Sequence, residues 1–121
     1  QEARPSALRG GPAAELTPRR IAEAAAAGDA LARDVLAETG RWLGVGLASL
    51  ANVLNPERIV VGGGVAAAGE WILGPARQEL RARAMSVPGA CAVVVQAALG
   101  NQAAVVGAAL LGLARVTGER A

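Results

Sequence analysis

Histidine, lysine, phenylalanine and tyrosine are absent from these 121 residues, and cysteine occurs once, at Cys91. With no imidazole and a single thiol, the chain by itself can form neither an internal disulfide nor a Cys/His zinc site. Cys91 precedes the apolar run AVVVQ and reads as a small buried hydrophobe, with a reactive thiol as the alternative. Long apolar runs are lacking too. The last helix candidate, AAVVGAALLGLA, falls well short of the ~20 residues that a membrane helix needs. The N-terminus lacks the charged, apolar and cleavable order of a secretory signal, so a soluble cytoplasmic chain is expected. Twelve arginines face ten acids and are scattered, so no basic block suggests nucleic acid.

What is present is 53% apolar, mostly Ala, Val and Leu with two Trp. A core of such small side chains requires elements that approach closely. One domain fits this length, and about two thirds of the unfolded surface could be buried.

Residues 1–14, QEARPSALRGGPAA, mix Pro, Gly and Arg without periodicity and read as a linker or severed loop; residues 15–121 carry the fold. Thr17 followed by Pro18 starts a short helix that stops at Gly28. Asp29 caps a long second helix ending at Asn55-Pro56, with Leu36, Leu43, Leu47, Leu50 and Leu54 as a leucine stripe on one face. On the same helix Gly40, Gly44 and Ala48 lie four apart. Each helical glycine costs about 1 kcal/mol relative to alanine, so another backbone is expected to approach there. Simple tolerance of the glycines is the alternative.

Arg58 to Val61 is a β-branched run suited to a parallel strand covered on both faces. A helix is expected over residues 66–84, broken or restarted at Pro75, with Leu73 and Leu80 buried. A second buried strand follows over 92–96, and LGNQ leads into a last helix over about 102–116, where Gly107, Ala108 and Gly112 leave room for close packing. The order helix, helix, strand, helix, strand, helix is half of an α/β layered domain. Two parallel strands make a poor sheet alone, so further strands are expected upstream or on another chain.

Strand, glycine-rich turn and helix together can bring backbone N–H groups up to an anion. Residues 62–69 read GGGVAAAG, which is neither GxGxxG nor GxxxxGK[ST], so the pattern leaves a nucleotide and a plain turn both open. Asp29, Asp34, Glu38 and Glu70 fall at helix starts and on solvated faces, as caps rather than general bases. Trp42 and Trp71 lie within helical patterns, as core or lobe-packing residues.

The segment LGVGLASLANVLNPERIVVGGGVAAAGEWILGPARQELRARA, residues 43–84, with ALGNQAAVVGAALLGLA, residues 98–114, and AEAAAAGDALARDVL before them, resembles the C-terminal lobe of ROK-family (repressor, open reading frame, kinase) proteins, in particular glucokinase-like sugar kinases. The resemblance implies an α/β fold, the C-terminal half of an actin/hexokinase-like (ribonuclease H-like) ATPase domain, with residues 15–121 as its nucleotide-binding lobe. It places Gly62, Gly63 and Gly64 against the adenosine and α-phosphate of ATP, with Val65 bordering the site. Asn101 falls near the same cleft, as a ligand contact or as the N-cap of the last helix. Gly107, Ala108 and Ala109 fall on the helix that packs at the hinge between lobes. Where relatives read Asp-Ala-Gly after that Asn, this chain has Gln102, Ala103 and Ala104.

Family members take their phosphate loop, catalytic Asp and Cys/His zinc loop from the other half of the protein. This chain has no DxGGT and no CxCGxxGC motif. The resemblance thus implies an ATP-dependent hexokinase parent that uses Mg²⁺ and binds its hexose through the missing lobe, while this chain alone has no catalytic residue and is expected to be inactive. Alternatives are the effector or dimerisation lobe of a ROK repressor, the one reading that involves nucleic acid, and a ligand-free remnant. Exposed apolar surface would make a homo-oligomer of the isolated chain reasonable.

Overall fold

A computed structural model describes residues 5–9 and 16–118. Thr17 caps helix α1 (Pro18–Ala26) by accepting the Arg20 N–H at 3.3 Å, and proline at the first helical position loses no bond the helix would have used. The chain reverses at Gly28, whose φ of +98° suits only glycine comfortably. Asp29 then caps α2 (Ala30–Leu54): its carboxylate accepts from Ala32 N at 3.1 Å and, from a turn at residues 5–9, from Ser6 Oγ and Ala7 N at 2.7 Å each. Most of the expected linker, residues 1–4 and 10–14, lies outside the described residues.

These hydrogen bonds, with that from Ser6 foremost, hold the Asp29 carboxyl below its ordinary range. A depressed folded pKa gives stabilisation that is present above the unfolded value and lost as pH falls through the folded one. The turn at residues 5–9 is therefore expected to stay docked at neutral pH and to release below about pH 4. Loss of the Ser6 and Ala7 amide signals from their docked positions on acid titration, absent in Asp29→Asn, checks this.

Asn55, in the left-handed conformation at φ +44°, ends α2 just before Pro56. Strand β1 (Arg58–Val61) follows, then a 3₁₀ turn (Ala66–Ala68), α3 (Glu70–Arg83), α4 (Ser86–Cys91), β2 (Val93–Gln96), a second 3₁₀ turn (Gly100–Gln102) and α5 (Ala103–Thr117). The two strands are parallel, with Arg58 opposite Val93 and Val61 opposite Gln96. The α/β class is the one expected. The helix foreseen over 66–84 is divided at Gly69, whose φ is +59°. Pro75 does not break α3, which runs through it to Arg83 and forgoes only the bond that residue 75 would have donated to the Trp71 carbonyl. Helix α4, with a proline and a glycine among six residues, was not foreseen.

The close approach expected at Gly40 and Gly44 is present. A Cβ on Gly40 would overlap the Ile72 carbonyl oxygen, and one on Gly44 would stand 2.5 Å from that of Ala76. The α2 ridge Ala32–Leu36–Gly40–Gly44–Ala48 is thus buried against α3. This ridge, rather than the leucine stripe, defines the buried face toward the C-terminal end: Leu47 is buried, while Leu50 and Leu54 are 53% and 68% exposed. Two apolar clusters result. Ala25, Ala32, Leu36, Ala68 and Ile72 form one; Leu47, Leu73, Leu80 and Val94 form the other, between α2, α3 and the sheet.

Two further expectations are corrected. The sheet is covered on one face only: Val94 is buried, while Val60 and Val93 on the opposite face are 59% and 53% exposed. Cys91, at the end of α4, is exposed rather than buried. Trp42 is 69% exposed, outside the core of this chain, whereas Trp71 lies under the Arg33 guanidinium, 4.9 Å from the ring centroid. Helix α5 has no buried residue, and a Cβ on Gly107 or Gly112 would meet nothing within 4 Å. Among the described residues, no helix is long and apolar enough to cross a membrane.

Candidate functional site

Parallel pairing places the C-terminal ends of both strands side by side, and each strand continues into a glycine-containing turn. After β1 the chain runs through Gly62, Gly63 and Gly64; after β2 it reaches Ala97, Gly100 and Asn101. The ladder continues one residue beyond the strands, with Ala97 N donating to the Val61 carbonyl at 2.9 Å, which holds the two turns together. Between them is a depression of about 90 Å³ lined by Val61, Gly62, Gly63, Ala66, Ala67, Gln96, Ala97 and Gly100. A crevice at the carboxyl ends of parallel strands is the usual ligand position in α/β sheets.

Each predicted residue has a distinct position. Gly62 lines the depression, and an added Cβ would stand 3.5 Å from the Ala97 Cβ. Gly63 also lines it and has φ +87°, a conformation that side chains resist. Gly64 and Val65 continue the turn outside the lining; Val65, 44% exposed, precedes the first 3₁₀ turn. Asn101 lies in the second 3₁₀ turn, and its side chain is outside the described residues. The N-cap of α5 is Gln102 rather than Asn101, because the 3₁₀ turn shifts the α-helical start to Ala103. Sequence reasoning missed Gln96, Ala97 and Gly100. Only the strand register, which sets Gln96 opposite Val61, brings them to the glycine turn.

The lining carries no charge among the described residues, and Gln96 supplies its one polar side chain. Helix α3 does not offer its N-terminus to a phosphate. Glu70 occupies its first turn and accepts from Arg77 Nη1 through both carboxylate oxygens, at 2.8 and 2.6 Å. Helix α5 differs: its first turn has no acid and no side-chain cap, and it begins three residues after Gly100. The depression can therefore take an uncharged, flat group, with the positive end of α5 nearby for one phosphate. At 90 Å³ it is one wall of a cleft rather than a full pocket, which typically spans about 300–1,000 Å³. No group of three or more acidic, Cys or His side chains is placed to hold a metal among the described residues.

The model of a family described as the ROK family matches residues 5–115. A glucokinase from Halalkalibacterium halodurans is 44% identical over 92 residues, which cover 76% of this chain and 28% of that protein. A ROK family glucokinase from Streptomyces griseus, solved in complex with glucose and AMPPNP, superposes with a TM-score of 0.70 at 42% identity over 77% of this chain and 30% of that one. A ROK family transcriptional regulator, a homologue of the E. coli MLC protein, superposes with a TM-score of 0.69 at 33% identity, over 77% of this chain and 23% of its own. The chain thus spans less than a third of each of these relatives.

Proposed function

The chain belongs to the ROK family, and we propose that it forms the adenine-nucleotide side of a sugar-kinase cleft, inactive without the remainder of such a kinase. The observation that carries this reading is the uncharged, glycine-lined depression at the ends of two parallel strands, beside the acid-free start of α5. Backbone so bare of side chains lets a planar base or ribose come close, and the positive end of the α5 dipole would favour one phosphate beside it. Gly62, Gly63, Gly64 and Val65 would border the nucleoside, with Asn101 on the opposite turn. The S. griseus relative, crystallised with glucose and AMPPNP, supports a nucleotide and a hexose as ligands of the whole protein.

Phosphoryl transfer also requires a base for the attacking hydroxyl and groups that neutralise the β- and γ-phosphates. The residues lining the depression include no carboxylate and no cation, so neither role is filled from this side. Mg²⁺ needs hard oxygen donors, and the glycine turns supply no carboxylate; a metal travelling with ATP would be held elsewhere.

Titration of the chain with AMPPNP and separately with glucose tests the reading. AMPPNP is expected to bind weakly, with Kd on the order of 1 mM, and glucose not at all. Glucose binding without nucleotide binding would contradict it. The second reading, a regulator lobe, is favoured by the superposition on the ROK transcriptional regulator; it predicts that AMPPNP does not bind.

A further inference from the structure

A second depression, of about 290 Å³, runs along Val93–Val95 of β2 and is walled by Arg77, Leu80 and Arg81 of α3 and by Gly89 and Ala90 of α4. It shares no lining residue with the glycine-lined depression. Val93 N donates to the Glu57 carbonyl and Ala97 N to that of Val61, so Val93, Val95 and Ala97 turn their backbone groups to β1. Val94, between them, directs its N–H and C=O the other way, toward α3. The carbonyl is satisfied, accepting from Arg77 Nε at 2.9 Å. The N–H is not: Val94 is only 3% exposed, and no described residue accepts from its amide. Buried backbone donors are almost always paired, so this one marks a place where an acceptor belongs.

The side chains beside that amide are donors as well. Arg77 gives Nε to Val94 and Nη1 to both Glu70 oxygens, which offset its charge. Arg81, one turn further along α3, has neither an ion pair nor a hydrogen bond among the described residues, and Glu79 beside it is held by Arg83. No carboxylate lines the depression, so the charge facing it is the single positive charge of Arg81. Apart from the two arginines its side chains are aliphatic or absent. We propose that this depression binds a small monocarboxylate with an apolar body: Arg81 and the Val94 N–H take the carboxylate oxygens, and Leu80, Val93 and Val95 take the hydrocarbon part. The planar guanidinium matches a carboxylate through paired hydrogen bonds. One anion balances one cation, whereas a phosphate monoester would bring a second charge that nothing here neutralises. At 290 Å³ the depression approaches the lower end of small-molecule pockets, about 300 Å³. The proposal does not depend on which ligand the glycine turns hold.

NMR titration of the isotopically labelled chain with isovalerate, with isovaleramide and with inorganic phosphate tests it. Isovalerate is expected to shift the Val94 amide and the Arg81 Nε–H along one curve, with Kd on the order of 1 mM. Isovaleramide has the same body without the charge, and phosphate the charge without the body; each is expected to bind at least about tenfold more weakly. Arg81→Gln, at an exposed helical position, is expected to lower isovalerate affinity at least about tenfold while the remaining amides keep their positions. Isovaleramide or phosphate binding as tightly as isovalerate, a Val94 amide unmoved at about 20 mM isovalerate, shifts at Gly62 and Ala97 in place of Val94, or an Arg81→Gln chain that binds like the unaltered one would each overturn the proposal.

Discussion

Replacing Gly40 by valine is expected to remove about 3 kcal/mol of stability, enough to unfold much of a domain whose total is about 5–15 kcal/mol. The cause is local. Helix α2 and helix α3 meet backbone to backbone at this point, and the first atom of any side chain on Gly40 would overlap the Ile72 carbonyl oxygen. A carbonyl within a helix cannot give way as a flexible side chain could, so the helices must separate and open the clusters around Leu36 and Leu47. Gly46, six residues further along the same helix, meets nothing within 4 Å, and Gly46→Ala is expected to add up to about 1 kcal/mol. Urea denaturation of the two variants separates the readings. Equal, small effects at both positions would mean that the glycines are only tolerated.

The second large effect concerns the turn after β1, where space and backbone conformation separate stability from binding. A Cβ on Gly62 would make ordinary contact with the Ala97 Cβ inside the depression, and its φ is not positive. Gly62→Val is therefore expected to change stability by no more than about 0.5 kcal/mol while lowering AMPPNP affinity at least about tenfold, the equivalent of 1.4 kcal/mol. Gly63→Ala should do the reverse to the fold, costing about 1 kcal/mol because φ is +87° there. Calorimetric titration beside thermal unfolding reads both quantities. Unchanged AMPPNP binding by Gly62→Val would remove the depression from the nucleotide site.

How far the sequence foretold this structure depends on what each signal reports. Glycines at 40 and 44 in a long helix indicated a close crossing, because helical glycine is costly unless space demands it. Leucine periodicity was less informative about Leu50 and Leu54. Buried positions follow the ridge at intervals of four, which advances about 40° around the helix per step, and so carry the packed face away from the last leucines. The β-branched run at 58–61 signalled a strand but not that one of its faces would be bare in these residues. Helix α4 escaped notice because Pro88 and Gly89 together read as a turn.

At the candidate site, the triple glycine stood out in the sequence because a turn needs fewer. The opposite wall did not. Gln96, Ala97 and Gly100 have no composition that distinguishes them, and only the parallel register sets them beside Gly62. Arg77 was equally silent: its hydrogen bond to β2 depends on an α3 register that places Nε 2.9 Å from the Val94 carbonyl.

The most direct test of the nucleotide reading is to follow the backbone amides of the chain while AMPPNP is added. The account predicts that Gly62, Gly63, Ala97 and Gly100 shift together along one saturating curve, with the first amides of α5 moving in step. Shifts that saturate elsewhere, for instance in the groove between Trp42 and Arg83, with the glycine turns unmoved, would contradict it.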